Sequence, residues 1–184
     1  MQRYPIWHVR HTTPYNSLVD VILANRSLTL QNLSDTPDAL NDPYLMKDMD
    51  RMVARILQAI REGERIVVFG DYDVDGVTST SVLLDFFDHV GADSTFLLPD
   101  RFRDGYGMKP PGVERAIKKG ARLIVTSDNG VSSFEAIDAA NQAGVDVVVI
   151  DHHHPQDRLP DALALVNPNR ADCEYPFKGL AAVG

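Results

Sequence analysis

The rhythm of apolar and polar positions changes twice along this chain. Up to Pro43 no period is sustained, because four prolines and many Asn, Ser, Thr and Asp residues interrupt it. Only Leu18-Val-Asp-Val-Ile-Leu-Ala24 has helical spacing there, so one short helix among loops is expected. From Tyr44 to Arg61 the apolar residues Leu45, Met49, Met52, Val53, Ile56, Leu57 and Ile60 recur at i, i+3 and i+4. That is the stripe of an amphipathic helix, and Asp42-Pro43 is a start signal for it. From Arg65 short apolar runs alternate with helical segments. Strands are expected at Ile66–Phe69, Thr95–Leu98, Leu123–Thr126, Val147–Ile150 and Ala164–Val166. Helices are expected at Val77–Val90, Val113–Lys119 and Ser133–Ala143.

Nearly continuous Val/Ile/Leu strands separated by helices indicate an α/β fold: an open, mainly parallel sheet with helices on both faces. A short helical and loop segment, residues 1–43, is expected to precede this core and pack on it, with the main domain running over 44–184. Neither internal repeats nor low-complexity segments are present.

Composition narrows the function classes. The 184 residues are 44% hydrophobic, enough for one substantial core, and 24% charged with a net charge of −8. This is the balance of a soluble cytoplasmic protein, and the wrong sign for one that holds nucleic acid by its surface field alone. The single cysteine, Cys173, excludes an internal disulfide framework and a cysteine-based zinc site. The sequence contains no signal-peptide pattern and no apolar run of membrane-spanning length, so no membrane partner is expected.

In open α/β sheets ligands bind at the carboxyl ends of the strands. Three strand ends here are acidic. Gly70-Asp71-Tyr72-Asp73-Val74-Asp75-Gly76 follows the first strand, Ser127-Asp128-Asn129-Gly130 the third, and Asp151-His152-His153-His154-Pro155 the fourth. Carboxylates gathered at one edge repel each other, and divalent cations remove that cost. Oxygen ligands with imidazole and no thiolate suit Mn²⁺ or Mg²⁺. Several carboxylates, one of them able to bridge, suggest two ions of the kind that serve in-line phosphoryl displacement. Asp71-x-Asp73-x-Asp75-Gly76 also matches the first half of an EF-hand loop, but Val82 stands where that loop needs a glutamate and the segment follows a strand. The calcium reading fails.

Gly70-Asp-Tyr-Asp-Val-Asp-Gly76 with Val77-Thr-Ser-Thr-Ser81 resembles the first motif of the DHH phosphoesterases in its RecJ form. Asp128-Asn-Gly130 resembles their second motif and Asp151-His-His153 the triplet that names the family. The likeness extends to Leu23-Ala-Asn-Arg26, Arg103-Asp-Gly-Tyr-Gly107, Asn167-Pro-Asn169 and Leu180-Ala-Ala-Val-Gly184, so it covers the chain from about residue 18. It implies a metal-dependent phosphodiesterase of the RecJ-like kind, degrading single-stranded DNA from the 5′ end with Mn²⁺ or Mg²⁺ in recombination and repair. It further implies Asp73, Asp75, Asp128 and His152 as metal ligands, with Asp128 as the bridge. His153 would meet the substrate phosphate, and Asp71 and Asp151 would orient the ligands from behind.

Arg101, Arg103 and Lys109 are the candidate contacts to the nucleic-acid backbone, around a loop in which Gly105 and Gly107 allow close approach and Tyr106 could stack on a base. Thr78 and Ser79 are expected to cap the helix after the first motif, and Lys118-Lys119 to complement the dipole at a helix end. His154 reads as a solvated loop residue. Two departures stand beside the resemblance. The family's last metal-binding aspartate and its second, substrate-gripping domain are expected beyond Gly184, so the chain reads as a core truncated before them, with weak or absent activity by itself. Related proteins with a fuller metal set also carry a histidine just ahead of the first motif, where Phe69 stands here.

A monomer is expected, with single-stranded DNA as its partner and a single-strand-binding protein or helicase as a further one. The alternative readings are a DHH phosphodiesterase for short oligoribonucleotides or cyclic dinucleotides, and a catalytically silent module that binds DNA or partners.

Overall fold

A computed structural model describes residues 17–26, 28–29 and 41–184. The chain divides into two units, one ending at Leu40 and one spanning Asn41–Gly184. In the first, helix α1 (Leu18–Asn25) is capped by Ser17, whose hydroxyl accepts the N–H of Asp20. Most of the N-terminal segment, with its expected packing on the core, lies outside the described residues.

The second unit is built on five parallel strands: β1 (Ile66–Phe69), β2 (Ser94–Leu97), β3 (Leu123–Ser127), β4 (Asp146–Ile150) and β5 (Ala164–Val166). Their order is β2-β1-β3-β4-β5. Alternate residues of β1, β3, β4 and β5 feed two cores, as the pleat requires. Ile66 and Val68, with Leu123 and Val125, meet Met52 and Ala59 of α2 (Met49–Glu62) and Phe87 of α3 (Val74–His89). Val67 and Phe69, with Ile124 and Val147, meet Val113 and Ala116 of α4 (Pro110–Lys118) and Ile137 and Ala140 of α5 (Phe134–Gln142). Buried Arg55 of α2 ties the amino-terminal rim of the sheet together, pairing with Glu64 and Asp146, each at 2.6 Å. No helix among the described residues is long and apolar enough to cross a membrane.

Three element starts differ from the sequence expectation by more than one residue, two for local reasons and one for a long-range contact. The helix expected from Tyr44 is split: Asp42 caps a 3-10 turn at Pro43–Leu45, and α2 begins at Met49. Between them Asp48 sits at φ 66°, with its carboxylate turned to the guanidinium of Arg170 (2.7 Å) and the N–H of Leu165 (3.3 Å). Helix α3 starts at Val74, three residues early, because the Asp73 carboxylate accepts the Gly76 N–H at 3.0 Å and caps it. Thr78 and Ser79 therefore lie inside the helix and do not cap it. Their hydroxyls donate back to the carbonyls of Val74 and Asp75, each at 2.6 Å. Helix α4 gains a turn at its start because Pro110 lies in the first turn, where no N–H is needed.

The strand order reverses between β1 and β3: the chain leaves β1 for one side of the sheet and later returns to β3 on the other. The crevice beyond the carboxyl ends of these two strands is where such sheets bind ligands.

Candidate metal centre at the β1–β3 switch point

The loop from β1 into α3 brings Asp71, Asp73 and Asp75 to that crevice. Asp71 is buried, with its backbone packed against Gly76: a Cβ on Gly76 would stand 2.6 Å from the Asp71 carbonyl oxygen. The glycine of the motif is thus required by close approach. Asp73 caps α3, and that N–H bond, ahead of the opposing effect of burial, holds its carboxyl below the usual range. Asp75, one residue into the helix, takes the backbone N–H groups of Ala182 (2.8 Å) and Val183 (2.9 Å).

The loop after β3 supplies Asp128 in a left-handed conformation (φ 64°), which Asp tolerates better than most side chains. Its backbone is pinned by its own N–H to the Ile150 carbonyl, 3.0 Å. Next to it buried Asn129 donates to the carbonyls of Phe69 (3.1 Å) and Ser127 (3.0 Å), joining the ends of β1 and β3. The Asp128 carboxylate is 1% exposed, and its Oδ1 has no hydrogen-bond partner. Burial, with the charges of Asp75 and Asp73 added, pushes its pKa up to about 7. Burial likewise raises Asp71, neither of whose oxygens has a hydrogen-bond partner.

The loop after β4 contributes the histidines. His152 Nε2 lies 3.2 Å from Asp128 Oδ1 and 3.4 Å from Asp75 Oδ2. His153 Nδ1 is 2.7 Å from Asp151 Oδ1 and 3.9 Å from Asp128 Oδ1. Burial works against a proton on His153, but the Asp151 hydrogen bond and charge, with Asp128 and Asp71 behind, outweigh it and raise its pKa. Asp151 is saturated: it also accepts the backbone N–H groups of His152 (2.8 Å), His153 (3.1 Å) and Val131 (2.9 Å). The carbonyls of the same two histidines are held from the other side. Asn167 donates to that of His153 at 2.9 Å, and Asn169 to that of His152.

Two groups of donors emerge, Asp71–Asp73–Asp128 and Asp128–His152–His153, each with its ligand atoms within 4.8 Å of one another. Asp128 belongs to both. Asp75 falls in neither, although its Oδ2, which accepts the Ala182 N–H, lies 3.4 Å from His152 Nε2. Uncompensated buried carboxylates are costly, so the orphaned oxygens of Asp71 and Asp128 fit a divalent cation. The mixture of carboxylate oxygen and imidazole nitrogen matches a hard or borderline ion.

Tyr106 joins this centre: its hydroxyl donates to the Asp128 carbonyl at 3.1 Å and lies 3.1 Å from His153 Nε2. Arg101 is exposed and lies over the Tyr72 ring, 5.0 Å from its centroid. Arg103 is exposed on the loop whose Asp104 binds Arg115 at 2.9 Å. Neither arginine is part of the two donor groups, and His154 is exposed beyond them. Sequence reasoning assigned no role to Asn129, and it noted Asn167 and Asn169 only as part of the resemblance. Their signal was a short run of polar residues directly after a strand, where side-chain amides can tie loops.

Residues 65–184 match the family model described as "DHH family, N-terminal domain". The chain is 48% identical over 140 residues to the single-stranded-DNA-specific exonuclease RecJ of Salmonella typhimurium, covering 76% of this chain and 24% of that protein. To the protein of the same name from Bacillus subtilis it is 44% identical over 143 residues, 78% of this chain and 18% of that one. Among solved structures it is similar to exonuclease RecJ bound to manganese, with TM-score 0.68 and 32% identity over 74% of this chain and 35% of that one. It is also similar to RecJ in complex with Mn²⁺ from Thermus thermophilus, with TM-score 0.60 and 29% identity over 75% of this chain and 20% of that one. The chain thus spans only 18–24% of the length of these two sequence relatives.

Proposed function

The chain belongs to the DHH family, and on that premise we propose that it forms the metal-binding phosphodiesterase core of a RecJ-like exonuclease acting on single-stranded DNA. The observation that carries this reading is the pair of donor groups sharing buried Asp128 at the β1–β3 switch point. A purely structural domain gains nothing from burying there both Asp71 oxygens and the Asp128 Oδ1 without a hydrogen bond.

In this proposal Asp73, Asp128 and His152 hold Mn²⁺ or Mg²⁺, with Asp75 beside His152 and Asp71 beside Asp73. A bound divalent ion supplies Lewis acidity at the phosphate and an activated water. The chain's own residues do the positioning. Asp151 fixes the ring of His153 through Nδ1, leaving Nε2 beside the Tyr106 hydroxyl on the open side of the site. A protonated His153, favoured by its acidic neighbours, donates a hydrogen bond to a phosphate oxygen and offsets its charge. Asn167 and Asn169 hold the two histidine carbonyls, so the imidazoles meet the substrate from a fixed loop.

The test is degradation of end-labelled single-stranded and duplex DNA by the purified protein in Mn²⁺, Mg²⁺ or EDTA, beside Asp128→Asn. Release of nucleotides from the single strand alone, abolished by EDTA and reduced more than about 100-fold in the variant, supports the proposal, since outer-sphere partners alone cost 10–100-fold. Equal rates in EDTA refute the metal centre. Preference for short oligoribonucleotides or cyclic dinucleotides refutes the substrate, and DNA binding without cleavage under all conditions refutes the catalysis.

A further inference from the structure

The donor groups occupy one end of a longer depression. Beside His153 and Asp151 lies a cavity of about 270 Å³ walled by Tyr106, Met108, Lys109 and Val131. Met108, Lys109, Ser132 and Ser133 also line a second, adjacent cavity of about 290 Å³, whose wall includes Phe134 and Arg158. A third, of about 160 Å³, opens from Lys109 towards Arg103 and Arg115. Lys109 stands at the junction of all three.

Both branches offer a polyanion an arginine without an ion pair, and the aromatic seat of that arginine separates them. In the third cavity Arg115 is paired with the Asp104 carboxylate at 2.9 and 3.1 Å, and Lys109 donates to the Asp104 carbonyl. Arg115 is thus answered by an acid, which leaves Arg103 as the arginine of that branch without an ion pair among the described residues. In the second cavity Arg158 lies over the Phe134 ring, 4.4 Å from the centroid, and makes no ion pair among the described residues. A guanidinium seated on an aromatic face keeps its N–H edge free for a phosphate. Glu135 is the acid on that wall, and it lies on the helix α5 that carries Phe134, not on the Arg158 loop. The first cavity offers the exposed Tyr106 ring next to the proposed reaction centre, over a floor in which Met108 and Val131 are nearly buried.

We propose that these two joined cavities form a nucleotide subsite, in which the sugar and base flanking the scissile phosphate rest against Met108, Val131 and Tyr106, and the next phosphate of the strand is bound by Arg158 on Phe134. This rests on the phosphodiesterase reading above and adds a substrate-length requirement to it. Single strands suit the subsite because an unpaired base can turn into the cavity, whereas a paired base is held in its stack.

The experiment compares two substrates with the wild-type protein, Arg158→Ala and Arg158→Glu in Mn²⁺: a single-stranded oligonucleotide, and the p-nitrophenyl ester of thymidine 5′-phosphate, which lacks the next phosphate. On the oligonucleotide, Arg158→Ala raises KM roughly 5-fold with kcat little changed, as loss of one exposed charge contact would, and Arg158→Glu raises it further. The salt dependence of log KM falls by about 0.7 per lost contact. The small ester is hydrolysed at the wild-type rate by both variants. An equal loss on both substrates, or no change on the oligonucleotide, overturns the subsite while the phosphodiesterase reading stands. A wild-type protein that cleaves neither substrate overturns that reading, and the subsite with it.

Discussion

Asp128 gives the most demanding prediction, because its environment makes it a burden to the metal-free protein. The carboxyl is 1% exposed and has no hydrogen bond on Oδ1, where the His152 ring approaches to 3.2 Å; burial and the charges of Asp75 and Asp73 push its pKa up to about 7 from an ordinary value of 3.8. Below pH ~4 the folded and unfolded states both carry its proton, and nothing is lost. Between ~4 and ~7 the unfolded chain ionises while the folded one resists, so stability falls as pH rises. Above ~7 the penalty is fully present. From the two pKa values it amounts to about 4 kcal/mol at pH 8 and about 2 kcal/mol at pH 5.5, as orders of magnitude. Asn is nearly isosteric, uncharged and tolerant of the left-handed conformation at this position, so Asp128→Asn should remove the penalty without disturbing the turn. Thermal melts followed by circular dichroism in EDTA at pH 8 should show the variant more stable by roughly 8–16 °C, and the gap should shrink at pH 5.5. Addition of Mn²⁺ at about 100-fold over Kd stabilises wild type by roughly 2.7 kcal/mol and the variant far less. A variant less stable than wild type in EDTA at pH 8, or a gap that ignores pH, refutes the account of Asp128 as a buried, uncompensated carboxylate.

Other perturbations test the scaffold around it. Asn167→Ala leaves the His153 carbonyl without its donor, and the Asn169 N–H without its acceptor at 2.7 Å. It should destabilise by about 1–3 kcal/mol in urea titrations and weaken Mn²⁺ binding, measured calorimetrically, by about 10–100-fold. At Gly130 (φ 117°) a Cβ would stand 2.7 Å from Thr126 Oγ1 and 2.9 Å from a Val149 methyl, whereas at Gly144 (φ 70°) nothing lies within 4 Å. Gly130→Ala should therefore lose about 1–3 kcal/mol from backbone strain and overpacking together, and Gly144→Ala distinctly less, a contrast that denaturation midpoints will resolve. For Asp48, burial raises the pKa but the hydrogen bond and charge of Arg170, with the Leu165 N–H, bring it below the ordinary value. Its contribution is present above pH ~4 and is lost as pH falls through the lowered pKa. Arg170→Ala should cost about 1–3 kcal/mol at pH 7, by stranding a partly buried carboxylate, and less at pH 3.

Much of this architecture could be read from the chain alone, because the features concerned are local. A strand such as Ile66–Phe69 announces itself by four consecutive apolar residues that are buried on both faces of a parallel sheet. The stripe from Met49 to Ile60 does the same for α2, at helical period. The acidic motifs were legible because side chains just past a strand end have nowhere to go but the carboxyl edge of the sheet. Two helix starts were misjudged for local reasons, the Asp73 cap and Pro110, but the third error fell where a long-range partner overrode local preference. Nothing near Asp48 in sequence breaks the helix expected from Tyr44. The break serves Arg170, 122 residues away.

The tertiary structure alone decided which carboxylates meet. Chain order places β2 between β1 and β3, yet in the sheet β1 and β3 are neighbours, and so Asp71 and Asp73 face Asp128 across the switch point. It also gave the Asp75 oxygens N–H partners 107 and 108 residues further on while keeping Oδ2 3.4 Å from His152 Nε2, and it set Asn167 and Asn169 against the carbonyls of the histidine loop. Periodicity reports interactions between residues a few positions apart. Which distant segments become neighbours depends on the order in which strands join the sheet, and no short-range pattern carries that order.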